Sequence, residues 1–204
     1  TPVLCREVIE FLRVGTDSVI LDGTVGGGAH ARAIFENTRG PRHYIGLDAD
    51  EDALAYARQN LAAYGDRVTL VQRNFSCLQD VLRQLGIERV DAVLFDVGVS
   101  SYHLDTPERG FSFREDGPLD MRMDRSQRVT AADIVNTARE QELARILYEY
   151  GEERFSRKIA RAIVAERRRG RISSTRRLSE IIEWAVHYRS GQRLHPATRT
   201  FQAL

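Results

Sequence analysis

The stretch that most constrains the fold is Val19-Ile20-Leu21-Asp22-Gly23-Thr24-Val25-Gly26-Gly27-Gly28-Ala29-His30. A short apolar run ends on an aspartate, and the chain then breaks into glycine. From Ala29 to Phe35 the spacing of apolar residues suits a helix. Strand, glycine turn and helix in this order form the entry to a nucleotide or nucleoside site. The chain must turn sharply there and let a ligand approach its backbone, which a Cβ would obstruct. The loop alone is not specific. Gly26-x-Gly28-x-x-Ala31 fits the dinucleotide fingerprint in its G-x-G-x-x-A form, and it fits equally the loop of a methyltransferase that binds S-adenosylmethionine (SAM). A glycine turn with no ligand is spelled the same way.

The rest of the chain places this loop in a larger pattern. Residues 43–48, 68–71 and 90–96 read as further strands. Helices are expected at 29–37, at 51–64 with Gly65 as the stop, and at 77–85, after a lead-in over 2–12 that ends in a short helix. Strands that alternate with helices predict a parallel sheet covered on both faces. Past Leu104 the character changes. Residues 106–124 are turn-rich, with Pro107, Gly110, Gly117 and Pro118, and only helices follow, at 130–136, 140–150, 154–168 and 174–188. Charge changes at the same place. There are ten basic and fourteen acidic residues up to Leu104, but twenty basic and fifteen acidic from Asp105 onward.

A length of 204 residues, 42% hydrophobic and 29% charged, predicts a folded soluble chain of one domain with room for a smaller insertion. No apolar run is long enough to span a bilayer, and the first residues carry no signal-peptide core. Cys5 and Cys77 are the only cysteines, without a C-x-x-C pair. They read as free thiols in a reducing cytoplasm, and no metal site is expected.

Ligands of such sheets sit outside the carboxyl ends of the strands. The loop of residues 22–28, Asp48, Phe75 and Asp96 all fall at those ends. Asp48 stands twenty residues after Gly28, where an acid accepts from ribose hydroxyls. Phe75 offers a flat surface for adenine, and Asp96 offers an acceptor for an amino group.

Several longer motifs then follow in order. They are Phe95-Asp96-Val97-Gly98-Val99-Ser100-Ser101, Glu108-Arg109-Gly110-Phe111-Ser112-Phe113, Asp116-Gly117-Pro118-Leu119-Asp120-Met121-Arg122-Met123-Asp124, Tyr150-Gly151-Glu152-Glu153-Arg154 and His195-Pro196-Ala197-Thr198-Arg199-Thr200-Phe201-Gln202-Ala203-Leu204. Together with the glycine loop they resemble the ribosomal RNA small subunit methyltransferase H family, also called MraW, over nearly the whole chain. The resemblance implies a Rossmann-like α/β methyltransferase with an inserted all-helical substrate domain. Its parts would be a SAM-binding domain over 1–104, a loop and helical insertion over 105–190, and a return segment over 191–204. It implies a SAM-dependent enzyme of the cytoplasm that methylates the exocyclic N4 of a cytidine in 16S rRNA, at the decoding centre of the small ribosomal subunit. Membrane binding is not implied, and a homo-oligomer is compatible. The family's SAM contacts fall on Gly28, Ala29, His30, Asp48, Phe75, Asp96 and His103. Two of these depart from the family's pattern: Ala29 stands where a glycine is usual, and His103 where a glutamine is. The family also continues past Leu204 through further strands, so the chain is expected to be a fragment.

Methyl transfer to an amine needs positioning more than metal chemistry. Asp96 is the candidate catalytic acceptor for the amino protons, with the carbonyls of Val97 and Gly98 beside it. For RNA, the candidates are Arg109, Arg114, Arg122 and Arg125, in and beside the 105–124 segment, which is expected to be a mobile cover. A second set, Arg157, Lys158 and Arg161, shares one helical face with Arg154. Ile159, Ala162, Ile163 and Ala165 are expected to pack inward. Two other classes fit parts of the pattern: an NAD(P)-dependent oxidoreductase, which explains the loop and Asp48, and a non-enzymatic RNA-binding module, which explains the arginines.

Overall fold

The computed structural model describes residues 2–188 and 194–204. They form two compact units, 1–98 and 99–204. The expected domain boundary at 190/191 lies outside the described residues.

The first unit is built on four parallel strands, β1 (Val19–Asp22), β2 (His43–Asp48), β3 (Val68–Gln72) and β4 (Ala92–Leu94), in the order β3-β2-β1-β4. Side chains alternate across a strand, and the two faces therefore receive different residues. Ile20 and Tyr44 face one cluster, with Ile34, Phe35, Leu54, Ala57 and Leu61. Val19, Leu21, Ile45 and Leu47 face the other, with Val81. The first cluster is covered by α2 (Ala29–Asn37) and α3 (Glu51–Asn60), which carry the chain between the first three strands. The second is covered by α4 (Leu78–Gln84), which leads to β4. A further helix, α1 (Cys5–Leu12), precedes β1. This is the Rossmann-like arrangement that the alternation of strands and helices implied. The chain runs outward from β1 to β3, then returns to the other side of β1. The order therefore reverses between β1 and β4, and their carboxyl ends border the crevice where such sheets take ligands.

Two elements depart most from the lengths the sequence implied. The helix expected to reach Tyr64 ends at Asn60, because the chain turns there to bury Leu61 and continues as a 3-10 turn over Ala62–Arg67. The strand expected over 90–96 is paired only over Ala92–Leu94. Beyond it the Asp96 N–H donates to the Thr24 hydroxyl at 2.7 Å instead of extending a ladder.

The second unit is helical: α5 (Ser101–Asp105), α6 (Ala131–Thr137), α7 (Glu140–Glu149), α8 (Ser156–Arg167), α9 (Thr175–Val186) and α10 (Ala197–Ala203). Its core joins Val135, Leu143, Leu147, Ile159, Ile163, Leu178 and Ile182 with Ala197 and Phe201. As expected, Ile159, Ala162 and Ile163 point inward from α8; Ala165 does not, and is exposed. The segment before α6 is irregular but well bonded. Pro118 bridges to Ser174, the Leu119 N–H donates to the Ser173 carbonyl at 2.9 Å, and the Thr175 N–H donates to the Gly117 carbonyl at 2.9 Å. The mobility expected of 105–124 from its glycines and prolines is not matched by this bonding.

Candidate active site

The site of the first unit starts from Asp22, the last residue of β1. Its carboxylate is buried, 1% exposed. Tyr44, also buried, donates its hydroxyl to Oδ2 at 2.6 Å, and the Thr24 N–H donates to Oδ1 at 2.9 Å. Burial pushes the Asp22 carboxyl up to about 6, against the opposing pull of these two bonds and of His30. Thr24 extends the connection: its hydroxyl donates to Asp22 Oδ1 at 3.4 Å and accepts the Asp96 N–H. Asp96 is thus fixed through its backbone while its side chain stays half exposed. His30, buried in the first turn of α2, sets its Nε2 3.3 Å from Asp96 Oδ2. The other ring nitrogen, Nδ1, is buried and finds no hydrogen-bond partner among the described residues.

The glycine loop runs from Asp22 to α2. Gly28 has φ +82°, the left-handed region, and a Cβ there would also meet the Leu61 side chain at 3.0 Å. Only glycine adopts this conformation without strain. Asp48, at the end of β2, accepts the Gly26 N–H on Oδ2 at 2.8 Å and the Asp50 N–H on Oδ1 at 2.9 Å. It is therefore first of all the anchor of the loop. Each of its oxygens keeps a lone pair for a further donor. Phe75 is 39% exposed, so it is not core. It meets Phe95 edge to face with ring centroids 5.5 Å apart. Phe95 leans over Gly23, where a Cβ would stand 2.2 Å from its ring. Gly23 thus opens the space that lets the aromatic pair lie at the strand ends.

The MraW methylase family is matched over residues 1–204. The chain belongs to that family. It is 51% identical over 203 residues to "Ribosomal RNA small subunit methyltransferase H" of Geotalea uraniireducens, a match covering 99% of this chain and 65% of that protein. The protein of the same name from Carboxydothermus hydrogenoformans is 50% identical over 203 residues, covering 100% of this chain and 65% of that protein. That of Methylobacterium nodulans is 52% identical over 204 residues, covering 100% and 60%. The chain therefore spans less than two thirds of the length of these MraW relatives.

Of the residues singled out from the sequence, the structure brings together Gly28, Ala29 and His30 at the start of α2, with Asp96 against His30 and Asp48 against the loop. Ala29 is exposed at the first position of α2, so the methyl group that departs from the family's usual glycine meets no crowding. His103 belongs to the second unit. It is buried there in a capping box, its Nδ1 accepting the Ser100 N–H at 3.2 Å and its ring 4.8 Å from that of Phe111. Sequence reasoning missed Asp22 as a carboxylate with a role of its own, together with Tyr44, Thr24 and Phe95. An aspartate closing a fully apolar strand was the available signal, since such a charge needs partners.

Among the arginines expected to meet RNA, two are already engaged within the second unit. Arg109 is 3% exposed and donates to the carbonyls of Arg122, at 2.9 Å, and Met123, at 3.3 Å. Arg122 makes a two-pronged pair with Asp120, at 2.8 and 2.7 Å, and donates to the carbonyls of Arg125 and Gln127. Both guanidinium groups hold backbone carbonyls, and that of Arg122 also holds the Asp120 carboxylate. Arg114 and Arg125 are exposed, as are Arg157, Lys158 and Arg161 on α8.

Proposed function

We propose that the chain carries the cofactor site and the helical part of a SAM-dependent enzyme that methylates the exocyclic N4 of a cytidine in 16S rRNA, at the decoding centre of the small ribosomal subunit. On this reading it works in the cytoplasm. The helical stretch over 105–190 is an insertion in the methyltransferase domain, and residues 191–204 lead back to that domain. The name that the MraW relatives carry, ribosomal RNA small subunit methyltransferase H, supports an rRNA substrate. The observation that carries the reading is Asp96: a half-exposed carboxylate at the point where strand order reverses, fixed by His30 and Thr24.

The residues fit SAM. A left-handed glycine loop opens α2, a strand-end carboxylate with spare lone pairs stands beside it, and an exposed aromatic follows β3. The buried His30 Nδ1 is a polar atom with no partner among the described residues. In this assignment Asp48 accepts from the ribose, Phe75 covers the adenine, and Gly28, Ala29, His30 and Asp96 line the remainder. Bound SAM supplies a methyl group already activated on a sulfonium. The amino group of cytosine is a poor nucleophile because its lone pair is delocalised into the ring. Asp96 accepts a hydrogen bond from that amino group, localises density on the nitrogen and takes its proton after transfer. His30 Nε2 orients the carboxylate for that task.

Calorimetry with SAM and with NAD, and transfer of labelled methyl to small-subunit RNA, test this. SAM binds and NAD does not; Asp96→Asn keeps most SAM affinity and loses transfer. Asp48→Ala loses the loop anchor and weakens SAM by roughly tenfold or more, from one lost charge-assisted bond of about 1.5–3 kcal/mol. Binding of NAD without SAM, or an Asp96→Asn chain that transfers as the parent does, overturns the assignment.

A further inference from the structure

The second unit holds a groove of about 850 Å³ between α7 and α8, and its lining is chemically uneven. One part is cationic: Arg154, Arg157, Lys158 and Arg161 all line it. The other part is aromatic: Tyr148 near the end of α7 and Phe155 just before α8. Both rings are turned to solvent, 64% and 57% exposed.

Neither half is accounted for by the stability of the unit. Arg161 has a partner in Glu140 at 3.7 Å, and Arg145, also on the groove, pairs with Glu149 at 2.9 Å. Arg154, Arg157 and Lys158 have no ion pair among the described residues. Arg157 and Lys158 stand in the first turn of α8, which contains no acidic residue. Cations at that end oppose the helix dipole, and Arg161 lies four residues from Arg157 and three from Lys158 as a like charge on the same face, so they cost stability where they stand. The two exposed rings forgo burial although the α7–α8 core is a few residues away. Cations without counter-ions call for a polyanion, and rings open to solvent call for a flat apolar partner. An unpaired stretch of RNA supplies both, as phosphates on the outside and base faces to stack on. A duplex supplies phosphates but keeps its bases stacked inside, and would leave the rings bare.

We propose that the α7–α8 groove binds an unpaired stretch of RNA, with bases stacking on Tyr148 and Phe155 and phosphates held by Arg154, Arg157 and Lys158. The inference rests on the reading of this chain as an RNA methyltransferase and names where, apart from the SAM site, the RNA strand is held.

Fluorescence anisotropy on the chain, with a labelled unpaired RNA octamer, a twelve-base-pair RNA duplex and an acidic peptide, tests it. The octamer binds more tightly than the other two. Tyr148→Ala and Phe155→Ala each weaken the octamer by roughly tenfold and leave the duplex and the salt dependence unchanged. Arg157→Ala with Lys158→Ala lowers the log–log salt slope by about 1.4, at about 0.7 per phosphate contact on a single strand. All four side chains are exposed, and thermal melting checks that the variants fold as the parent does. Equal binding of octamer and duplex, tighter binding of the peptide, or ring variants that bind the octamer as the parent does overturns the proposal. SAM calorimetry on the same samples separates the two ideas. A chain that binds SAM but whose ring variants hold RNA unchanged loses only the groove; a chain that binds RNA through the groove but no SAM loses only the methyltransferase assignment.

Discussion

Two irregular segments of this molecule solve the same problem with opposite charges. In the first unit, the glycine loop turns backbone N–H groups inward, and carboxylates receive them: Asp22 takes that of Thr24, and Asp48 takes that of Gly26. In the second unit, the stretch from Arg109 to Gln127 is held by its carbonyls, and guanidinium groups supply the donors: Arg109 to Arg122 and Met123, Arg122 to Arg125 and Gln127. A loop's backbone must be satisfied like any other. Which end of the peptide needs a partner decides whether an acid or a base holds it. A charged residue in such a segment is therefore as much a fastening of the chain as a contact for a ligand.

The largest effect expected from breaking this pattern is at Arg109. Arg109→Ala leaves two carbonyls without their donor and empties the space of a buried side chain. The expected loss is about 4 kcal/mol, the sum of unsatisfied groups and lost packing. Arg109→Lys keeps the charge but not the planar fork, and recovers only part of it. Urea unfolding measures both. A loss under about 1 kcal/mol for the alanine variant would return Arg109 to the list of RNA contacts.

A smaller effect, but one with a distinctive pH signature, belongs to Asp22. Its carboxyl is raised from 3.8 to about 6 in the folded chain, chiefly by burial. Between these two values the folded state holds a proton that the unfolded state has released. Stability therefore falls as pH rises through this window, by about 3 kcal/mol in all, and the loss is complete above about 6. Asp22→Asn cannot titrate and lacks this slope. Urea midpoints of the parent and the variant between pH 4 and 7 should diverge, with the variant gaining on the parent toward neutral pH. Parallel curves would assign the slope to other groups.

The glycine loop and its acid were legible because their chemistry depends on spacing. A strand, three glycines and an aspartate twenty residues on leave few arrangements. The parallel sheet and most of the inward face of α8 were legible for a related reason, since alternation of elements and periodicity within them fix which residues turn inward. Arg109 and Arg122 were not legible. In sequence they look like Arg114 and Arg125, and only the backbone geometry around them separates a fastening from an exposed cation. Thr24 and Tyr44 were hidden for a related reason. Both act on Asp22 across the sheet or the turn, and nothing in a linear pattern marks a hydroxyl that will meet a buried carboxylate. The early end of α3 was hidden by Leu61, whose helical spacing is the same whether it continues the helix or leaves it for the core.

The smallest expected effect isolates the link between the loop and the reacting side. Thr24→Val keeps shape and β-branching and removes one oxygen. That oxygen accepts the Asp96 N–H at 2.7 Å and reaches Asp22 at 3.4 Å. Asp96 is half exposed, and water can replace part of the lost bond, so stability should fall by only about 1 kcal/mol. The anchor at Asp48 does not pass through Thr24, and SAM affinity should stay within about twofold, a difference of roughly 0.4 kcal/mol. On the proposed function, the rate of methyl transfer should fall further, by about tenfold, because the variant would loosen Asp96 as the aligned acceptor, and misalignment acts on the rate rather than on binding. Thr24→Ser returns the hydroxyl and should restore most of the rate. Single-turnover transfer measured beside SAM calorimetry reads the two quantities separately. If both fall together, Thr24 supports the loop as a whole; if neither moves, His30 alone is enough to hold Asp96.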